Sequence, residues 1–152
     1  MVEVEVLQVA TLADGSGHLL LLKSANDERV LPIQVGPFEA VSIAMGVAGV
    51  TATRPMPYEL LSSVIMRLGG SLKQVVVHDL RDDAFIGQIE IATALGIIEV
   101  DCRSSDAVAL AVRAKCPIFV TEDVMRQAGT RIAAGGVDEE EDDQRGLPRA
   151  PR

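Results

Sequence analysis

The chain has 152 residues, of which 48% are hydrophobic and only 3% aromatic, and its formal net charge is −8. This length suits one domain with an aliphatic core. The charge excludes a broadly basic surface of the kind that binds phosphate backbones, and no apolar run reaches the roughly 18 residues of a membrane span. We expect a single domain, residues 1–133, followed by a disordered acidic tail, residues 134–152. The tail contains six consecutive acids at positions 138–143.

The two cysteines, Cys102 and Cys116, occupy positions typical of core residues. Buried free thiols fit a reducing compartment better than a disulfide does, and the N-terminal residues lack the pattern of a signal peptide. No His or Cys spacing indicates a zinc site. We therefore expect a cytoplasmic protein without a membrane segment.

The first 35 residues predict three strands. Val2, Val4 and Val6 alternate with glutamates, which is the pattern of a strand with one wet face. Turn residues at 14–17 and 26–28 separate two further strands. Because short turns join only antiparallel neighbours, we expect an antiparallel opening to the sheet.

Two helices are predicted next. The first, residues 37–48, is apolar nearly all round, with Glu39, Ser42 and Gly46 as a narrow polar or small stripe. Such a helix is either a core helix or the seam of an oligomer, so we expect a homo-oligomer. Pro57 opens the second helix, because proline is favoured at a first helical position. The apolar face of this helix comprises Leu60, Leu61, Val64, Ile65 and Leu68.

Residues 72–102 predict a meander of three antiparallel strands. A two-residue second turn would set the cross-strand pairs Ile91 with Ile98, Ile89 with Val100, Glu90 with Glu99 and Gln88 with Asp101. A third helix with Ser104 as its N-cap, a short strand and a last helix capped by Thr121 follow. The fold class is therefore α+β, a mainly antiparallel sheet with helices packed on it as a single compact domain.

A strand running through a polar turn into an Ala-rich helix occurs twice, at residues 36–39 and 103–106. The first turn of a helix has free N–H groups and the positive end of the helix dipole. Such a junction can present an acid or bind an anion. We expect the two junctions to be neighbours in space and to form one polar hollow.

Several motifs together resemble the bifunctional nuclease family, an α+β domain found in bacteria and plants and described as acting on both RNA and DNA. The resemblance spans about residues 4–125. The motifs are Leu31-Pro32-Ile33-Gln34-Val35-Gly36-Pro37-Phe38-Glu39-Ala40, Arg54-Pro55, Asp79-Leu80-Arg81-Asp82, Arg103-Ser104-Ser105-Asp106-Ala107 and Pro117-Ile118-Phe119-Val120. The chain departs from the family pattern where Tyr58 and Glu59 replace a His-Asp pair, and where Ser104 replaces a proline.

The resemblance implies hydrolysis of phosphodiester bonds in RNA or DNA. The predicted catalytic residues are Glu39, Arg54, Glu59, Arg103 and Asp106. The predicted ligands of a divalent metal, Mg²⁺ or Mn²⁺, are Glu39, Glu59 and Asp106. The predicted substrate contacts are Arg54, Arg103, Ser104 and Ser105. In this scheme the metal activates water while the arginines stabilise the negative charge that grows during the displacement.

Each of these residues also has a structural interpretation. Glu39 can simply stabilise a helix N-terminus, and Arg54 can be an ordinary surface arginine. Arg103 either pairs with a nearby acid or grips a phosphate. His78 has the pattern of a strand-end residue. Glu90, Glu99 and Asp101 share one face of the meander, which is typical of a solvated surface, with Mg²⁺ or Mn²⁺ binding as the alternative. The rival function is a noncatalytic oligomeric scaffold or ligand-binding regulator that retains the fold.

Overall fold

The computed structural model of the chain describes residues 1–132, which form one α+β domain. The strands are β1 (Val2–Thr11), β2 (His18–Ser24), β3 (Arg29–Val35), β4 (Ser71–Arg81), β5 (Ala84–Thr93), β6 (Gly96–Arg103), β7 (Ile118–Val120) and β8 (Thr130–Arg131). The helices are α1 (Pro37–Ala48), α2 (Pro57–Arg67), α3 (Ser104–Ala114) and α4 (Glu122–Ala128). The predicted tail, residues 134–152, lies outside the described residues.

The strands form one eight-stranded sheet in the order β6-β5-β4-β7-β1-β2-β3-β8. Every neighbouring pair is antiparallel except β4 and β7. The antiparallel opening β1-β2-β3 is confirmed. The meander β4-β5-β6 is also confirmed, including all four predicted cross-strand pairs between β5 and β6.

Helix α3 lies at the centre of the helical layer. It packs on β4 and β5, with α1 and α2 as its helical neighbours, so most of its side chains are buried. Gly87 of β5 permits this close approach, since a Cβ there would lie 3.1 Å from both the Arg103 carbonyl oxygen and the Ser104 Cα. The N-terminus of α3 therefore packs directly against the sheet.

Two predicted caps have different outcomes. Thr121 caps α4 as expected, since its hydroxyl accepts a hydrogen bond from the Val124 N–H at 3.4 Å. The prediction of Ser104 as the N-cap of α3 is wrong: Arg103 holds that position in an extended conformation, and Ser104 is the first helical residue. The strand β6 runs straight into the helix, which leaves no residue between them for a side-chain cap.

The described residues contain no helix that combines the length and hydropathy needed to cross a membrane. Their core is aliphatic, as the composition predicts. Its largest fully buried side chains are Leu20, Leu22, Leu31, Ile33, Ile43, Leu110, Met125, Val30, Val75, Val77, Val108 and Val120.

Candidate active site

Three helices share one feature at their N-termini. The third residue of α1 is Glu39, that of α2 is Glu59 and that of α3 is Asp106. An acid at this position is stabilised by the helix dipole and by the free N–H groups of the first turn. The sequence therefore sets three carboxylates at equivalent places, and tertiary packing decides which of them meet.

Two of the three meet on one arginine. Arg103 Nε donates to Asp106 Oδ2 at 2.9 Å, and Nη2 donates to Asp106 Oδ1 at 2.8 Å and to Glu39 Oε1 at 3.0 Å. Residues 36–39 and 103–106 are therefore neighbours, as predicted. We call Glu39, Tyr58, Arg103 and Asp106 the Arg103 cluster.

Tyr58 completes this cluster from α2. Its hydroxyl donates to Asp106 Oδ1 at 2.7 Å, and its ring stacks on Phe38 of α1 with the ring centroids 6.2 Å apart. Burial, together with the neighbouring Asp106 carboxylate, raises the pKa of Tyr58 well above its ordinary value. The phenol is thus a fixed hydrogen-bond donor at neutral pH and not a base.

The charges of the cluster stabilise one another. Burial acts to raise the pKa of Asp106, but hydrogen bonds from Arg103 and Tyr58 outweigh it, so this pKa lies below its usual range. The Asp106 and Glu39 carboxylates raise the pKa of Arg103 further above neutrality. Asp106 therefore stays ionised and Arg103 stays charged. The Arg103 side chain nevertheless remains 64% exposed, so the cluster opens to solvent.

Gly36 shapes the position of Glu39. A Cβ at this glycine would lie only 2.4 Å from Glu39 Oε2, so the carboxylate folds back over the residue that precedes the helix. The φ angle of Gly36 is −71°, which any residue can adopt. Glycine is therefore not required here by the backbone, but it leaves room for the Glu39 carboxylate, which a Cβ would push aside.

The third acid takes part in a different contact. Glu59 Oε1 lies 3.3 Å from Nε of Arg113, a residue of α3 whose side chain is only 9% exposed. Arg113 also lies over the Tyr58 ring, 5.7 Å from its centroid, and donates from Nη1 to the Ala109 carbonyl. Nε and Nη2 of Arg113 and Oε2 of Glu59 have no hydrogen-bond partner within residues 1–132. The pair is thus a partly buried ion pair of imperfect geometry.

The remaining predicted substrate contacts do not join the cluster. Arg54 is exposed in the segment between α1 and α2 and forms no salt bridge with any other described residue. Ser104 and Ser105 are buried against the sheet as the first turn of α3. Their burial leaves little of either residue exposed to a polymer in this conformation, and their role as substrate contacts stays a prediction.

The predicted three-carboxylate metal site is not assembled in residues 1–132. No group of three His, Cys, Asp or Glu residues there is close enough to hold one ion. Arg103 bridges Glu39 and Asp106 and supplies the positive charge itself, while Glu59 pairs with Arg113. The residues therefore do not fit the predicted metal as a common ligand set. The requirement for Mg²⁺ or Mn²⁺ stays a prediction.

An apolar cleft of about 410 Å³ adjoins the cluster between α2 and the strands β5 and β6. Asp106 and Tyr58 lie on its wall beside aliphatic side chains. Cys102 also lines it, and burial raises the pKa of this thiol to about 11. The cleft gives the cluster an apolar flank.

The other sequence candidates lie elsewhere. His78 Nε2 is 3.6 Å from Asp101 Oδ1. The prediction of His78 as a strand-end residue is wrong, because β4 continues to Arg81 and His78 lies at an irregularity in its pairing with β5. Glu99 and Asp101 are exposed, as expected for a solvated sheet face. Sequence reasoning missed the roles of Tyr58 and Arg113. Tyr58 could have been found as the only tyrosine of the chain, and Arg113 as the one charge in the apolar run of residues 107–114.

Comparison with known proteins identifies the family to which the chain belongs. The family described as "Bifunctional nuclease domain" matches residues 20–133. An uncharacterized protein of Mycobacterium tuberculosis is 39% identical over 132 residues, covering 87% of this chain and 79% of that protein. Bifunctional nuclease 1 of Arabidopsis thaliana is 27% identical over 131 residues, covering 84% of this chain and 37% of that protein. Bifunctional nuclease 1 of Oryza sativa subsp. indica is 23% identical over 130 residues, covering 82% and 39%. The chain therefore belongs to the bifunctional nuclease domain family.

Proposed function

We propose that the protein hydrolyses phosphodiester bonds in RNA or DNA, with the Arg103 cluster as its active site. The observation that carries this proposal is the convergence of the N-termini of α1 and α3 on one solvent-exposed arginine, Arg103, whose contact with Glu39 joins residues 64 apart in sequence. Plant relatives named as bifunctional nucleases support the substrate class.

Arg103 is the residue assigned to the phosphate. A guanidinium has five N–H donors, and three of them are used by Asp106 and Glu39. The two N–H groups of Nη1 have no partner among residues 1–132 and can donate to phosphate oxygens. Asp106 holds the guanidinium through two hydrogen bonds, so the free edge is preorganised before a substrate arrives.

The charge of the cluster sets a further requirement. One arginine and two carboxylates sum to −1, which by itself repels a phosphodiester. A second cation must therefore reach the substrate, and the proposal assigns this role to Arg54 or to a divalent metal ion bound with the substrate. Such an ion would neutralise phosphate charge and activate water.

The test is a cleavage assay on purified protein with single-stranded RNA and DNA, each in Mg²⁺, Mn²⁺ and EDTA. We expect Arg103→Ala to lower the cleavage rate by about 10²–10³-fold, the usual effect of removing a donor to a developing negative charge. Arg126→Ala is the matched control, because this exposed arginine forms the same i, i+3 ion pair with Asp123 on α4. Undiminished cleavage by a folded Arg103→Ala protein would contradict the proposal.

A noncatalytic scaffold or regulator is the second candidate. Tyr58 stands where the family pattern has histidine, and its raised pKa prevents proton transfer near neutrality. Under this alternative, no metal supports cleavage by the wild-type protein. The Tyr58→His variant tests whether the tyrosine is the cause. Cleavage that appears only in this variant indicates that the tyrosine abolished turnover.

We also propose that the protein is cytoplasmic and homo-oligomeric. The two thiols are free and half-buried, which suits a reducing compartment. Self-association is supported by apolar surface on the helical layer, described next.

A further inference from the structure

Helix α1 is oriented with its polar stripe towards the protein interior. Ser42 is buried, and Glu39 points to Arg103, the residue that precedes α3. Gly46 contacts α3 so closely that a Cβ there would meet Val112 at 2.6 Å. The residues that a solvated helix would turn outward therefore face α3.

The outward face of α1 is apolar as a consequence. Phe38 is 44% exposed, Val41 and Val47 are each 55% exposed, and Ala44 and Ala48 are also exposed. Residues 37–53 contain Glu39 as their only charged residue, and it faces the interior. A surface helix normally places charged side chains on its solvent face. This one presents no charge there at all.

We propose that the outward face of α1 binds a second copy of this chain in an isologous dimer. In such an interface the same patch meets itself, so a patch carrying charges of one sign is excluded. The chain has a net charge of −8, so two copies repel each other on average. The outward face of α1 is free of that repulsion, and without any Lys or Arg it offers nothing to a nucleic-acid backbone.

The side chains suit a helix pair. Ala44 and Ala48 allow two helices to approach closely, while Phe38 and Val41 supply the larger contacts. A helix of 12 residues is only about 18 Å long, and a stable interface buries about 800 Å² per partner, so α1 needs neighbouring surface. Helix α2 contacts α1 through the Phe38–Tyr58 stack and exposes Leu60 and Val64, and the proposed interface includes these two side chains.

The experiment measures association of the full chain by sedimentation velocity over a range of concentrations. We expect the wild-type protein to dimerise and Val41→Glu to weaken the dimer at least about tenfold, since the glutamate would be buried at the interface. Leu95→Glu is the matched control: Leu95 is a fully exposed apolar residue in the β5–β6 turn, away from the helices. Circular dichroism establishes that both variants fold.

A second variant tests the geometry without disturbing folding. Ala44→Cys should form a disulfide-linked dimer on mild oxidation, whereas the wild-type protein, with half-buried Cys102 and Cys116, should not under the same conditions. A wild-type protein that stays monomeric at every concentration overturns the proposal. So does a dimer that Val41→Glu leaves intact or that Leu95→Glu weakens equally.

Discussion

The hydrogen bond between Tyr58 and Asp106 joins α2 to α3, and its removal is the sharpest test of the cluster. Tyr58→Phe deletes only the hydroxyl, because a phenylalanine ring can keep the stack on Phe38 and the contact with Arg113. The hydroxyl lies 2.7 Å from a carboxylate oxygen, and Tyr58 is 6% exposed. The bond is therefore short, assisted by charge and largely shielded from water.

These features determine how much stability the Tyr58→Phe variant should lose. A hydrogen bond to a charged group contributes about 1.5–3 kcal/mol to stability. Asp106 keeps its two hydrogen bonds from Arg103 in the variant, so no carboxylate is left without a partner. We therefore expect Tyr58→Phe to lower the free energy of unfolding by the smaller end of that range, about 1.5–2 kcal/mol.

Urea unfolding of Tyr58→Phe, Asp106→Asn and the double variant forms a double-mutant cycle that isolates the pair. A coupling energy of at least about 1 kcal/mol is expected for a bond of this kind. A coupling below about 0.5 kcal/mol, the value of a solvent-exposed pair, would refute the argument that the cluster is preorganised.

The same bond can be followed by pH titration, since Tyr58 is the only tyrosine and the chain has no tryptophan. Its folded pKa is raised, so the contribution to stability is fully present below the unfolded value of about 10 and is lost as pH rises above it. Tyrosinate absorbance should therefore appear at lower pH in Asp106→Asn than in the wild-type protein. An unchanged titration would show that Asp106 does not act on the phenol.

Three further substitutions test the packing around the site. Gly36→Ala should displace the Glu39 carboxylate from Arg103 and lower the cleavage rate with little change in urea stability, whereas an unchanged rate would separate Glu39 from the reaction. Gly87→Ala should cost about 1–3 kcal/mol in urea unfolding, because its Cβ would meet the backbone of α3; a neutral result would contradict the close packing. Glu59→Gln should lower the melting temperature, because it leaves the largely buried Arg113 without its counter-charge, and the expected cost is about 1 kcal/mol since the Glu59 side chain is partly exposed; removing both charges should restore part of that loss.

Local pattern was enough to predict most of the secondary structure. Period-two alternation and short turns determine which strands are neighbours, so the pairing of Ile89 with Val100 follows from the turn length alone. The bounds of α1 follow equally from Pro37 at its start and Gly49 at its end. Both features depend on residues that are close in sequence.

The side-chain partners depended on tertiary contacts and could not be predicted in the same way. Asp106 pairs with Arg103 only three residues away, but Glu39 and Glu59 have the same position in their helices, and nothing local distinguishes the acid that pairs with Arg113 from the one that pairs with Arg103. The stripe of polar and small residues on α1 was also ambiguous. It could have faced water or another helix, and only the packing of α3 on the sheet determines that it faces inward.

These contacts connect the interior of the helical layer to its exposed arginine. Arg113, buried in α3, lies over the ring of Tyr58, and the hydroxyl of that tyrosine bonds to Asp106, which in turn holds Arg103. A histidine at position 58, as in the family pattern, could exchange a proton near neutral pH, but the phenol here cannot. The tyrosine thus replaces a proton-transfer group by a fixed hydrogen-bond donor. Cleavage by this chain would then need another proton acceptor, such as the Glu39 carboxylate, or an added metal ion that would make bound water give up its proton to solvent. The pH profile and metal dependence of cleavage are therefore the measurements that distinguish a nuclease from a scaffold.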